Sequence, residues 1–178
     1  MSLLRTHDTS VLVIDMQTRL LPAIDDQAGL VATAQRFLQA ACLLDVPVCA
    51  TEHWAEKIGE TSPDVSEYID HVFHKTHFDA TQEHGFQSFM PHKRHRVLLM
   101  GVEAHICVLQ TGIGLRQIGF EPILVSDAIG SRQSSDRQAA LDRWAHHGLE
   151  AVSTEMALFE WMQTPAHDKF REVLALLK

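Results

Sequence analysis

The stretch from Arg96 to Val108, RVLLMGVEAHICV, decides how the chain is read. Arg96 to Met100 (RVLLM) is a short, nearly continuous apolar run, the pattern of a strand covered on both faces. Gly101 follows it. From about His105 the pattern becomes that of a helix, running to Ile118 and stopped by Gly119. A strand that feeds a helix is half of a βαβ unit, so the flanking sequence should repeat the alternation.

Toward the N-terminus it does. Thr9 to Met16 (TSVLVIDM) reads as a strand that ends at an aspartate. Between Ala28 and Leu44 the apolar residues Leu30, Ala34, Phe37, Leu38, Ala41 and Leu44 recur in helical steps. Pro47 to Thr51 (PVCAT) is a second strand, opened by a proline where a missing N–H is tolerable. Glu52 to Asp70 is polar, holds Gly59 and Pro63, and reads as a long loop with one helical turn. Val72 to Lys75 is a weak third strand, and Thr81 to Phe89 a short helix stopped by Pro91. Toward the C-terminus, Glu121 to Ser126 (EPILVS) and Glu150 to Ser153 are strands. Helices are expected from Ser134 or Ser135 to His147, from Thr154 to Met162, and from Ala166 to Leu177. The expectation is a single doubly wound α/β domain over residues 1–178, with a mainly parallel sheet flanked by helices.

Composition narrows the partners. The 178 residues carry 23 Asp and Glu against 15 Lys and Arg, a net charge of -8. That balance argues against a phosphate backbone, so no nucleic acid is expected. The one basic cluster, His92-Lys93-Arg94-His95-Arg96, reads as a solvated turn before a strand. Met1 to Ser10 has no apolar core of signal-peptide length, and no stretch approaches the roughly 18 to 20 apolar residues of a membrane span. Three cysteines without a CxxC pair do not make a disulfide framework and suit a reducing compartment. The chain therefore reads as soluble and cytoplasmic, without a membrane partner. Twelve histidines fall mostly in polar contexts with no HExxH or Cys/His zinc spacing, so neither a metal nor a cofactor is expected.

In an open parallel sheet, ligands bind at the carboxyl ends of the strands. Asp15, Glu52, His53, Lys75 and Asp127 stand at such ends, and Cys107 begins the helix after the fourth strand. A cysteine at a helix N-terminus lies near free N–H groups and a positive dipole end, and a lysine beside it adds to their effect. Both lower a thiol pKa. A strand-end carboxylate is a base for the thiol proton, and the N–H groups can hold an oxyanion. These parts fit acyl transfer through a thioester.

VLVIDMQ at 11–17, HKT at 74–76 and GVEAHICV at 101–108 together resemble the isochorismatase-like cysteine hydrolases. The likeness spans nearly the whole chain and is strongest to the branch of isochorismatase-domain-containing proteins. It implies a Rossmann-like, six-stranded parallel sheet and an Asp15–Lys75–Cys107 triad, with Asp15 as base, Lys75 as cation and Cys107 as nucleophile. It also implies a cis peptide between Val102 and Glu103 that aims the Glu103 and Cys107 N–H groups into an oxyanion hole. The implied reaction is hydrolysis of a small-molecule amide or related C–N bond. Cleavage of a vinyl ether, as of isochorismate, is the alternative, but the enzymes that do it lack the cysteine. A catalytically silent, oligomeric binding protein is the third reading.

Around the triad, Gln17 is expected to support the first turn, and His53 and Trp54 to line the substrate pocket. His77, Phe78 and His105 are further pocket candidates. The Asp-x-His metal spacing of nicotinamidases is missing at Thr51-Glu52-His53-Trp54. Cys42 and Cys49 are read as core residues. The apolar residues Phe159, Trp161, Phe170 and Leu174 fit either a core or a subunit interface, and the family likeness implies a homo-oligomer.

Overall fold

A computed structural model describes residues 2–177. Six strands form one sheet: β1 (Thr9–Ile14), β2 (Val48–His53), β3 (His71–Lys75), β4 (Arg96–Val102), β5 (Glu121–Gly130) and β6 (Glu150–Val152). Every pairing is parallel, in the order β3-β2-β1-β4-β5-β6. Eight α-helices join them: α1 (Gln27–Leu43), α2 (Ala55–Ile58), α3 (Pro63–Ser66), α4 (Phe86–Phe89), α5 (Leu109–Gln117), α6 (Ser134–His146), α7 (Thr154–Met162) and α8 (Phe170–Leu176). This is the doubly wound α/β fold that the alternation of patterns predicts. Among the described residues no helix is long and apolar enough to cross a membrane.

Alternate strand residues feed two cores, one on each face of the sheet. Val11, Val13, Leu98 and Met100 pack with Leu30, Phe37 and Trp161 of α1 and α7. Leu12, Ile14, Val97 and Leu99 pack with Leu115 and Trp144 of α5 and α6. All eight strand residues are fully covered, each burial contributing about 1.5–3 kcal/mol, which is why these strands are apolar at successive positions.

The strand order reverses between β1 and β4, and their carboxyl ends lie side by side through the Ile14↔Gly101 register. Gly101 is required there. Its φ is +111°, and a Cβ would collide with the Ile14 carbonyl oxygen. The residues after these two strand ends therefore face one crevice.

The boundaries differ from the sequence reading in several places. Glu52–Asp70 holds two short helices, α2 and α3, where one turn is expected. Thr81–Phe89 is no single helix: Gly85, at φ +87°, separates a 3-10 turn at Ala80–Gln82 from α4. The last helix begins at Phe170, after Thr164 to Lys169 has turned through local hydrogen bonds. The basic cluster is only partly solvated, because Arg96 is buried and donates to the Ser2 and Leu3 carbonyls, and Arg94 donates to those of Thr6 and Thr9. Cys49 is a core residue, but Cys42 is exposed. It lies in the last turn of α1, at the margin of the stripe that Ala34, Phe37 and Ala41 turn to the sheet. Trp161 is buried against Phe37, whereas Phe159 is exposed.

Candidate active site

β1 ends at Ile14, and the next residue, Asp15, turns the chain at φ +48°. Aspartate tolerates this left-handed conformation better than most residues do. The turn leaves its carboxylate fully buried. Thr51, beside Ile14 in β2, donates its hydroxyl to Asp15 Oδ1 at 2.7 Å, and Lys75 at the end of β3 donates Nζ to Oδ2 at 2.7 Å. The Lys75 ammonium also faces the carbonyls of His77 and Phe78 at 3.3 and 3.4 Å. Three strands thus converge on one dry ion pair, whose side chains are both 0% exposed.

Glu83 holds the turn that supplies those carbonyls. Its Oε1 accepts from the N–H groups of Thr76 and His77, from the Thr76 hydroxyl, and pairs with His77 Nδ1, all within 3.0 Å. The Thr76 and His77 backbone donors, with the His77 ring, hold the Glu83 carboxyl down to about 2.

Cys107 enters from β4. It lies in a single π-helical turn, Ala104–Val108, that precedes α5, and Val102–Glu103 before it is a cis peptide. The N–H groups of Ile106 and Val108 both donate to the Glu103 carbonyl, at 3.1 and 3.2 Å. The Cys107 N–H lies between them, in the same turn. Burial pushes the Cys107 thiol up to about 12, the charge of Asp15 pushes the same way, and that of Lys75 opposes both. The expectation of a lowered thiol pKa is thus corrected. Desolvation of the thiolate outweighs the helix terminus and the lysine, and the lysine's charge is already matched by Asp15. Burial therefore favours the neutral thiol over the thiolate here.

A cavity of about 120 Å³ opens on Cys107 and Asp15. Leu20, Ile58, Phe78 and Ile106 give it apolar walls, with His53 and Glu103 as polar members. The His53 ring stacks on Phe78 with centroids 5.3 Å apart, and burial, helped by the Lys75 charge, holds its pKa below the usual range. Glu103 Oε2 accepts from the Arg132 backbone N–H and Nε at 3.1 and 3.0 Å.

The structure brings Asp15, Lys75, Cys107, Glu103, His53 and Phe78 together, and leaves other expected pocket residues outside. Gln17 is buried beneath the site. It donates to the His53 and Gly59 carbonyls and accepts from the His53 N–H, tying the β1 turn to the loop after β2. Trp54 lies over Lys57 on a separate, more open cleft shared with Glu52 and His74. His77 is turned outward to Glu83, and His105 bonds Ser131 at 3.0 Å. Asp127 accepts from the N–H and hydroxyl of Thr154 and so braces the start of α7. Sequence reasoning missed Leu20, Ile58, Ile106, Thr51 as the second partner of Asp15, and the Glu103–Arg132 pair. Thr51 was within reach, since it lies in a strand at the level of Asp15. Among the described residues no group of three or more His, Cys, Asp or Glu side chains is placed to hold a metal ion.

A doubly wound sheet with a thiol, a buried carboxylate and a lysine at its switch point defines a class of α/β proteins with a cysteine after the fourth strand. Residues 9–156 match the Isochorismatase domain, and the chain belongs to the isochorismatase family. It is 34% identical over 167 residues to isochorismatase domain-containing protein 1 of Salmo salar, covering 92% of this chain and 59% of that protein's length. It is 32% identical over 176 residues to isochorismatase domain-containing protein 2 of Danio rerio, covering 98% and 89%. Among solved structures, the MAR1 ribonuclease of Caenorhabditis elegans matches with a TM-score of 0.91 at 28% identity, covering 99% of this chain and 92% of that one. The Escherichia coli YcaC product, described as an octameric hydrolase of unknown specificity, shares the fold with a TM-score of 0.90 at 20% identity, covering 99% and 89%.

Proposed function

We propose that this chain is a single-domain cysteine hydrolase that opens a small-molecule amide, or a related C–N bond, through a thioester on Cys107. The observation that carries the reading is the dry Asp15–Lys75 pair on the same cavity as a buried, protonated thiol. Asp15 takes the Cys107 proton as the sulfur attacks the substrate carbonyl. The N–H of Cys107, with that of Glu103, holds the oxygen as it becomes an oxyanion. The C–N bond then breaks, and the proton on Asp15 passes to the departing amine or ammonia. Water gives a proton to Asp15, attacks the thioester and releases the acid, and the proton returns to sulfur. Lys75 keeps Asp15 ionised and fixed through the cycle.

The octameric assembly described for YcaC supports a homo-oligomer here as well. A secreted relative exists in Phytophthora sojae, and three free cysteines favour a reducing, cytoplasmic setting for this chain. A ribonuclease reading, prompted by the Caenorhabditis elegans neighbour, meets a net charge of -8 and a cavity far smaller than the roughly 300–1,000 Å³ of ordinary ligand pockets. The test is ammonia release from a panel of small amides. Turnover is expected in the wild type and absent in Cys107→Ala, and turnover retained by that variant would overturn the covalent mechanism.

A further inference from the structure

The cavity beside Cys107 says more about the substrate than the triad does. Its 120 Å³ is well below the roughly 300–1,000 Å³ of ordinary ligand pockets. Such a space suits a short acyl amide better than a large one. Leu20, Ile58, Phe78 and Ile106 offer only carbon to whatever enters. The charged groups at its edge are already matched. Lys75 Nζ faces three acceptors and is fully buried, and Glu103 is held by Arg132. No cation of the wall is left for a substrate carboxylate, and an unpaired ion would lose its hydration there without return.

One polar group remains unanswered. His53 lines the cavity, and its Nδ1 is buried without a hydrogen-bond partner. Buried polar atoms are nearly always paired, so an orphan in a cavity wall is a place for a ligand. A neutral imidazole offers one donor and one acceptor, and a primary amide answers either. We propose that the substrate is a short, uncharged primary amide, its acyl chain among the apolar walls and its amide group bonded to the His53 imidazole. The proposal rests on the hydrolase reading and adds to it the size, the charge and the recognising side chain.

Alkylation tests this without a known substrate. Iodoacetamide is itself a small neutral amide, iodoacetate is its anionic twin, and N-phenyl iodoacetamide is the same amide enlarged. Labelling of Cys107 is followed site by site by mass spectrometry, each rate divided by that of 2-mercaptoethanol with the same reagent. Cys107 is expected to favour iodoacetamide over both others by tenfold or more, while exposed Cys42 shows no dependence on reagent size. His53→Phe keeps a ring on Phe78 but no nitrogen, and should slow labelling by iodoacetamide severalfold, with His53→Asn recovering part of it. Protection of buried Cys49 reports that each variant is folded. Equal normalised rates for the three reagents would overturn the proposal, whatever the variants do. Wild-type labelling in a folded His53→Phe would remove His53 from it. If the reagent preferences hold but acetamide and propionamide release no ammonia, the recognition stands and the hydrolase reading fails.

Discussion

Two acid–base pairs flank Cys107, and they differ in how much water reaches them. Asp15 and Lys75 meet at 2.7 Å with both side chains 0% exposed, whereas Glu103 and Arg132 meet at 3.0 Å with Arg132 57% exposed. Coulomb attraction is strong in the first and heavily screened in the second. The same chemistry therefore serves two purposes. The dry pair holds the Asp15 carboxylate at a fixed point next to the thiol, where the proposed reaction needs a base. The wet pair steadies the start of the turn that carries the thiol, since Glu103 is also the residue whose carbonyl closes the π-helical turn.

The largest effect should come from breaking the dry pair on its acid side. Asp15→Asn is expected to lower amide turnover by about 10²–10⁴-fold, the usual worth of a general base. The same change removes a negative charge that raises the Cys107 thiol, so alkylation at pH 10 should become faster. Slower alkylation at that pH would show that Asp15 does not act on the thiol as a charge.

Breaking the pair on its basic side should appear as instability. Lys75→Met leaves Asp15 buried without a counter-charge, and a loss of about 3–5 kcal/mol in urea unfolding is expected. The double variant with Asp15→Asn should recover much of it, because no buried charge is then left over. Arg132→Ala, in contrast, should cost less, since Arg132 is 57% exposed and its backbone N–H goes on donating to the buried Glu103 carboxylate. A loss as large as that of Lys75→Met would erase the distinction between the two pairs.

The smallest effect concerns Glu83, which supports the dry pair from a distance. Its folded pKa of about 2 lies below the ordinary 4.5, so its contribution to stability is complete above pH 4.5 and fades as pH falls toward 2. Glu83→Gln should flatten that part of the stability curve, as read by thermal melts between pH 2 and 5, and an unchanged slope would count against the clamp.

Most of the frame was legible in the residues. Runs such as VLVI and VLLM report strands covered on both faces, and the rule about carboxyl ends narrows the acids and bases to Asp15, Glu52, His53, Lys75 and Asp127, from which the family resemblance singles out Asp15 and Lys75. The joint pattern with Cys107 then names the family. What stayed hidden depends on contacts across long loops. Nothing local to Arg132 points to Glu103, and Leu20 and Ile58 reach the cavity only because the loops bearing them pack together. The thiol's pKa was misread for a related reason. A sequence shows the neighbours that favour a thiolate, while the desolvation that opposes it depends on how completely the chain closes over the sulfur.

The three acceptors around Lys75 carry a consequence for how protons travel. An ammonium has three N–H bonds, and here each of the three faces an oxygen of the protein. Such a group has no lone pair with which to take up a proton, and its N–H bonds are directed at protein oxygens. In the proposed reaction Lys75 then stays a fixed cation, and Asp15 is the group that carries protons between sulfur, substrate and water. The cavity beside Cys107 and Asp15 is then the side from which a proton acceptor or donor other than the protein can approach.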